Sequence, residues 1–178
     1  MPAPERLKEY GVKGESLSNR FKYPGSEHHI LCTPESVHPK NEDNCTNCPQ
    51  ALRPKSSSNN PVFHRGPIAS GDLVMQNGQE RDRLSAQCHK AICFETQAAG
   101  VMIETHCLVI RGISDYADSH KPYMWHNYAA ATAAAFARQV LGELPPRKLE
   151  GVTPGPSSQR PSILQGIRAY NLLAVINQ

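Results

Sequence analysis

The sequence lacks three features that would each assign it to a broad class of proteins: a strongly basic run, a membrane-spanning run and a signal peptide. Its 178 residues contain no lysine- or arginine-rich run, and the formal net charge is only +3, so nothing points to nucleic acid as a partner. No apolar run is long enough to cross a bilayer, and the N-terminus does not resemble a signal peptide. We therefore expect a cytoplasmic protein without membrane contact, whose six cysteines stay reduced.

The segment 1–61 also lacks a periodic apolar pattern. Prolines and glycines interrupt it, residues 56–61 have the composition of a linker, and only a short helix over residues 4–10 is predicted. Cys45 and Cys48 form a Cys-x-x-Cys knuckle, and Cys32, His28, His29 and His38 precede it. Such a knuckle with two further ligands can hold tetrahedral zinc. The irregular upstream spacing and the absence of a second knuckle favour free cysteines in a loop.

The middle of the chain contains a series of short apolar stretches, each of which ends in polar residues. Strands are predicted at residues 62–68, 91–94 and 107–113, and helices at 79–87, 98–102 and 123–141. Polar groups at the carboxyl ends of strands are typical of ligand sites in α/β proteins. The sequence therefore predicts an α/β domain over residues 62–142. Residues 143–178 are predicted to be a Pro/Ser-rich, disordered tail with a short helix at 163–176.

Three motifs in order resemble the nucleoside phosphorylase and nucleosidase superfamily, in particular its fungal form at the head of NACHT-type and ankyrin-repeat receptors. They are residues 64–72 (His-Arg-Gly-Pro-Ile-Ala-Ser-Gly-Asp), 94–100 (Phe-Glu-Thr-Gln-Ala-Ala-Gly) and 110–121. The resemblance implies a three-layer αβα domain, of which this chain holds the C-terminal part. It also implies a purine nucleoside as substrate, phosphate as a candidate co-substrate, assembly into a homo-oligomer and receptor domains downstream in a longer chain.

The resemblance further implies how the purine base would be held. Asp115 corresponds to the acid that protonates or hydrogen-bonds the ring nitrogen N7, and Ser114 orients it. For that role the carboxyl must hold a proton, which burial beside Ile113 and Tyr116 is expected to favour. The loop after the first strand would pass under the base and read its edge, through Ser70, Gly71, Val74 and Met75. Without the resemblance, the Ser-Asp pair is more simply a helix cap.

The ribose side departs from the family pattern, which is Glu-Met-Glu. Here the corresponding residues are Glu95, Thr96 and Gln97. An uncharged Gln97 loses a charge-assisted contact with the ribose, at a cost of about 2–4 kcal/mol in the transition state. Residues 1–60 also contain no glycine-rich phosphate loop. Two main hypotheses remain, namely an impaired nucleoside-cleaving domain and a non-catalytic nucleoside-sensing or interaction module. A third, weaker alternative is a small zinc-stapled interaction domain centred on Cys45 and Cys48.

Overall fold

The computed structural model describes residues 19–52, 60–104, 107–144 and 168–176. The predicted helix at residues 4–10, most of the linker at 56–61 and the Pro/Ser-rich stretch at 147–161 lie outside the described residues. Among the described helices, none combines the length and apolar character that a bilayer crossing requires.

Strands and helices alternate through the described part of the chain. In order they are β1 (Val62–Ser70), α1 (Gly78–Gln87), β2 (Cys93–Glu95), α2 (Ala98–Glu104), β3 (Ile110–Ile113), α3 (Trp125–Glu143) and β4 (Arg168–Ile176). The predicted mixed α/β class is therefore confirmed. The strand predicted at residues 107–113 is shorter than expected, because regular pairing begins only at Ile110.

The four strands form one sheet in the order β2-β1-β4-β3. β1 is parallel to β2 and antiparallel to β4, and β4 is parallel to β3. The helix predicted at residues 163–176 is wrong, because 168–176 form β4; residues 163–167 lie outside the described part. β4 pairs with β1 along its whole length, and such ladder bonds outweigh a local helical preference. The sheet therefore includes a strand from the predicted C-terminal tail.

Side chains from strands that are not neighbours in the sheet meet in the core. In a flat sheet β2 and β3 would lie about 14 Å apart, three strand spacings. Ile113 of β3 nevertheless packs against the buried pair Ile68 and Cys93, which belong to β1 and β2. A second buried cluster joins Ala69 and Met75 to residues in and around α1. One buried cluster therefore takes side chains from β1, β2 and β3.

Helix α3 lies very close to β3. A Cβ added at Gly112 would collide with the backbone carbonyl of Ala129, so the contact requires glycine on the strand. Tyr128 and Thr132, one helical turn apart, are buried on this helix. The ring of Phe136 stacks on Phe63 of β1 with centroids 4.6 Å apart. The small residues Gly112 and Ala129 therefore let α3 lie close to β3.

Residues 19–52 are mostly irregular, as predicted, yet they are anchored to α3. The Tyr23 ring contacts Trp125 and Tyr128 edge-on, with centroids 5.5 and 5.4 Å away. The His29 ring lies 4.1 Å from that of Trp125, and the indole N–H donates to the His28 carbonyl at 3.4 Å. This aromatic contact holds the N-terminal segment against the start of α3.

Candidate functional site

A cavity of about 500 Å³ opens between the ends of β2 and β3, the loop after β1 and the first half of α3. All the site residues predicted from the sequence line it, except Ser70 and Gly71. Its apolar wall includes Leu73, Val74, Met75 and Phe94, and its polar side chains include Thr96, Gln97, Arg111, Ser114, Asp115 and Lys121. This size and mixture are typical of a site for a small organic ligand.

Asp115 is the polar centre of the loop that follows β3. Its Oδ1 accepts from the Lys121 ammonium at 2.7 Å and from the Ala117 backbone N–H at 2.8 Å. Ser114 Oγ donates to Oδ2 at 3.4 Å. Ala117 has a positive φ of 55°, a turn that folds the loop back onto the carboxylate. Lys121 thus holds the Asp115 carboxylate in place. The sequence led us to expect only burial beside Ile113 and Tyr116, without this lysine.

Gln97 is held by two neighbours. Arg111 Nη1 donates to its Oε1 at 3.2 Å, and its own Nε2 donates to Thr96 Oγ1 at 2.9 Å. The Arg111 pairing spans β2 and β3, which are not neighbours in the sheet. The Oε1 atom of Gln97 is therefore already engaged by Arg111, and a ligand hydroxyl group would have to compete with Arg111 for it.

Glu95 and Ser70 serve mainly the start of α2. The Glu95 carboxylate is buried and accepts from the backbone N–H groups of Gln97 and Ala98 at 2.8–3.1 Å. Ser70 is fully buried, and its Oγ accepts from the N–H of Ala99 at 2.8 Å. These bonds satisfy the free donors of a helix N-terminus. Glu95 still reaches the cavity wall, whereas Ser70 does not.

The loop after β1 divides into buried and exposed residues. Gly71 is buried, and its N–H donates to the Glu95 carbonyl at 3.2 Å, so it joins two strand ends away from the cavity. Met75 is 5% exposed and fills the core beneath the cavity, whereas Val74 is 60% exposed. A ligand in the cavity would therefore meet Val74 first.

Sequence reasoning assigned no role to Arg111, Lys121 or His126, which also line the cavity. Arg111 did leave a signal, since it is the one charged residue in an apolar run of strand residues. Lys121 lies six residues after Asp115 and outside any regular element, so no periodicity could pair them. The fold of the intervening loop decides that contact.

A separate cluster of sulfur and nitrogen atoms lies in the N-terminal segment. The Sγ atoms of Cys32, Cys45 and Cys48 lie within 4.8 Å of one another. His38 Nδ1 lies 3.8 Å from Cys45 Sγ and 3.6 Å from Cys48 Sγ. Burial, reinforced by the two neighbouring sulfur atoms, raises the pKa of the Cys32 thiol to about 12. The fold therefore brings the predicted metal candidates together with a histidine.

Comparison with known proteins gives one fungal relationship. A protein of Hyaloscypha variabilis described as a nucleotide-binding leucine-rich repeat (NLR)-like protein is 45% identical to this chain over 98 residues. The match covers 55% of this chain and about one tenth of that protein. No family model matches the chain, and no solved structure matches it. The chain is thus similar, over about half its length, to a short part of a much longer fungal NLR-like protein.

Proposed function

We propose that the cavity binds a purine nucleoside and that the domain is of the nucleoside phosphorylase or nucleosidase type, directed at the N-glycosidic bond. The observation that carries the proposal is the Asp115–Lys121 pair beside Ser114 on the cavity wall. The ordered motifs at residues 64–72, 94–100 and 110–121 support the same assignment.

Loss of the base requires that the purine ring leave without its full negative charge. The Lys121 ammonium has three donors, and Asp115 occupies one of them at 2.7 Å. A second N–H of the ammonium can then donate to the N7 atom, or Asp115 can relay a proton from Lys121 to N7. In this arrangement Asp115 fixes Lys121, and the pair together acts as the acid.

The ribose becomes cationic as the bond breaks, and negative groups near its hydroxyls lower the barrier. Gln97 offers only a neutral amide there, and its oxygen already accepts from Arg111. The Glu95 carboxylate is committed to the backbone of α2. We therefore propose a weak catalyst, with Arg111 as the cavity cation that would attract a phosphate co-substrate.

The test is release of free base from purine nucleosides by the full chain, with and without phosphate. Asp115→Asn is expected to lower the rate by about 10²–10⁴-fold, the usual contribution of a positioned acid. Lys121→Met should lower it as well, since the pair acts together. Exposed Asp43 and Lys40 supply matched controls, Asp43→Asn and Lys40→Met, which should keep full activity. Unchanged base release in both cavity variants would exclude the assignment.

A second candidate is a non-catalytic nucleoside-sensing or interaction module of a receptor-like protein. The similarity to a fungal NLR-like protein and the uncharged Gln97 favour it. Calorimetric titration with the same nucleosides distinguishes the two. Saturable binding that Asp115→Asn weakens, with no base released under any condition, identifies the sensing module.

A further inference from the structure

We propose that the N-terminal segment holds one structural zinc ion, in a Cys₃His site formed by Cys32, His38, Cys45 and Cys48. Sequence spacing alone favoured free cysteines. The reason to prefer a metal is the arrangement of the donor atoms, and it is independent of the cavity and of any nucleoside chemistry.

Two nitrogen-to-sulfur distances are close to those of a tetrahedral site. Zn–S bonds of about 2.3 Å and Zn–N bonds of about 2.0–2.1 Å, at tetrahedral angles, separate nitrogen from sulfur by about 3.5–3.6 Å. His38 Nδ1 lies 3.6 Å from Cys48 Sγ and 3.8 Å from Cys45 Sγ. The three sulfur atoms lie within 4.8 Å of one another, against about 3.8 Å in an ideal site, so the side chains would have to move to close around one ion.

The other nitrogen of His38 supports a ligand role. Nε2 lies 2.9 Å from the Glu42 backbone carbonyl, which can only accept a hydrogen bond, so Nε2 carries the proton. Nδ1 is then left with its lone pair directed at the two sulfur atoms. A ring N–H bonded to a carbonyl is the usual way in which a metal-bound histidine is oriented.

The backbone brings Cys32 to the knuckle without any help from a metal. Cys32 and Gln50 form an antiparallel bridge, with Thr33 N–H donating to the Pro49 carbonyl at 3.0 Å and Ala51 N–H to the Leu31 carbonyl at 2.8 Å. The knuckle closes by a Cys48 N–H to Cys45 carbonyl bond of 3.2 Å. Cys32 is 1% and Cys48 6% exposed, so an ion there would be shielded from water.

The site would fix the N-terminal segment onto the loop before α3. The His38 N–H donates to Ser119 Oγ at 2.9 Å, and Ser36 Oγ lies 3.4 Å from His120 Nε2. That loop also carries Asp115 and Lys121. A metal that orders residues 32–48 therefore also steadies the loop on which the cavity's ion pair is built.

His120 is the competing fourth ligand. It is 4% exposed, and one of its nitrogens lies within 4.8 Å of donor atoms of His38 and Cys48. Its Nδ1 lies 3.4 Å from a carboxylate oxygen of buried Asp118. His38 is preferred because its Nδ1 approaches two sulfur atoms and its Nε2 is already bonded, while His120 packs behind it with ring centroids 5.3 Å apart.

Thiolate sulfur with one imidazole selects zinc among the common divalent ions. On binding, the three thiols release their protons to solvent and become thiolates, and no electron transfer is involved. Because the ion would bind the folded arrangement of these donors and not the unfolded chain, it should raise the stability of the folded chain.

The first experiment measures metals in the full chain after purification without chelators. We expect one zinc per chain, and a chelator that removes it should lower the midpoint of thermal unfolding. Cobalt added to the metal-free chain should give the absorption of a tetrahedral thiolate site, a readout that needs no variant. Less than about one tenth of a zinc per chain together with no such cobalt spectrum, or iron or copper in place of zinc, would overturn the proposal.

Variants then test the ligand set. Cys45→Ser and His38→Ala should lose zinc, whereas the controls Cys107→Ser and His28→Ala, whose side chains lie outside the cluster, should retain it. A Cys45–Cys48 disulfide in the native chain, detected as a mass deficit of two hydrogens, would contradict the site. Zinc lost in His120→Ala but kept in His38→Ala would overturn the choice of fourth ligand.

Discussion

At the scale of single residues, the cavity is marked by groups that pair with each other. Asp115 contacts Lys121, and Gln97 contacts Arg111. Both pairs lie on the cavity wall; the first closes the loop after β3, and the second joins β3 to the residues after β2. Each pair contains one cation, Lys121 or Arg111. The cavity therefore presents to a ligand the positive charge of these side chains and their remaining N–H donors.

Gln97→Glu should strengthen the site if Gln97 faces a ribose. A carboxylate would restore a negative charge near the cationic sugar, worth about 2–4 kcal/mol or about 30-fold to 1000-fold in rate. The measurement is kcat/KM for base release, compared with Gln79→Glu, which makes the same change on exposed α1. An equal response in both variants would contradict a ribose contact at Gln97.

At the scale of elements, two helices are placed by contacts that are not visible in their own sequences. Helix α2 begins where Glu95 and Ser70 accept its free N–H groups, so residues predicted to hold substrate first hold a helix. Helix α3 lies on β3 because Gly112 leaves room for the Ala129 carbonyl. Both contacts position the ends of the strands that line the cavity.

Gly112→Ala is expected to lower the free energy of unfolding by about 1–3 kcal/mol, the usual cost of overpacking. The added methyl group meets backbone atoms of α3, which cannot rotate away as a side chain could. Urea unfolding of the full chain measures the change. Gly142→Ala is the matched control, because nothing lies near its Cβ position; it should be neutral or slightly stabilising. Equal stability of the two variants would refute the close approach.

At the scale of the whole molecule, distant parts of the chain complete the domain. β4, from residues 168–176, pairs with β1 on one side and β3 on the other. At the other end of the chain, the segment containing Tyr23 and His29 packs on the start of α3. Neither piece was expected to belong to the sheet domain on the basis of sequence.

Leu173→Pro should disrupt the sheet. Residue 173 pairs with Arg65 on one side and Ile110 on the other, and proline in a central strand removes a ladder donor. The unpaired carbonyl alone should cost about 1–3 kcal/mol, seen as a lower midpoint in thermal unfolding. Val62→Pro, at the first residue of β1, is the control and should be tolerated better. If Leu173→Pro unfolds like the unaltered chain, β4 does not hold the sheet together.

Much of the α/β core could be predicted from the sequence. β1, α1, α2 and α3 were predicted close to their observed limits, because each has a clear apolar or charged pattern and a capping or breaking residue at its end. β4 could not be predicted, since its nine residues gain their strand form from two partners that are remote in sequence. The candidate cavity was predicted through the residues after β2 and β3, whereas Arg111 and Lys121 were given no role there.

The sequence by itself determined where the first three strands and the three helices lie, and which polar residues come after them. Local patterns suffice for that, because hydrophobic periodicity and caps act within a few residues. The tertiary structure alone decided that Asp115 meets Lys121, that Gln97 meets Arg111, and that His38 meets Cys45 and Cys48. These contacts depend on how the loops and strands fold in three dimensions, which no hydrophobic pattern or cap specifies.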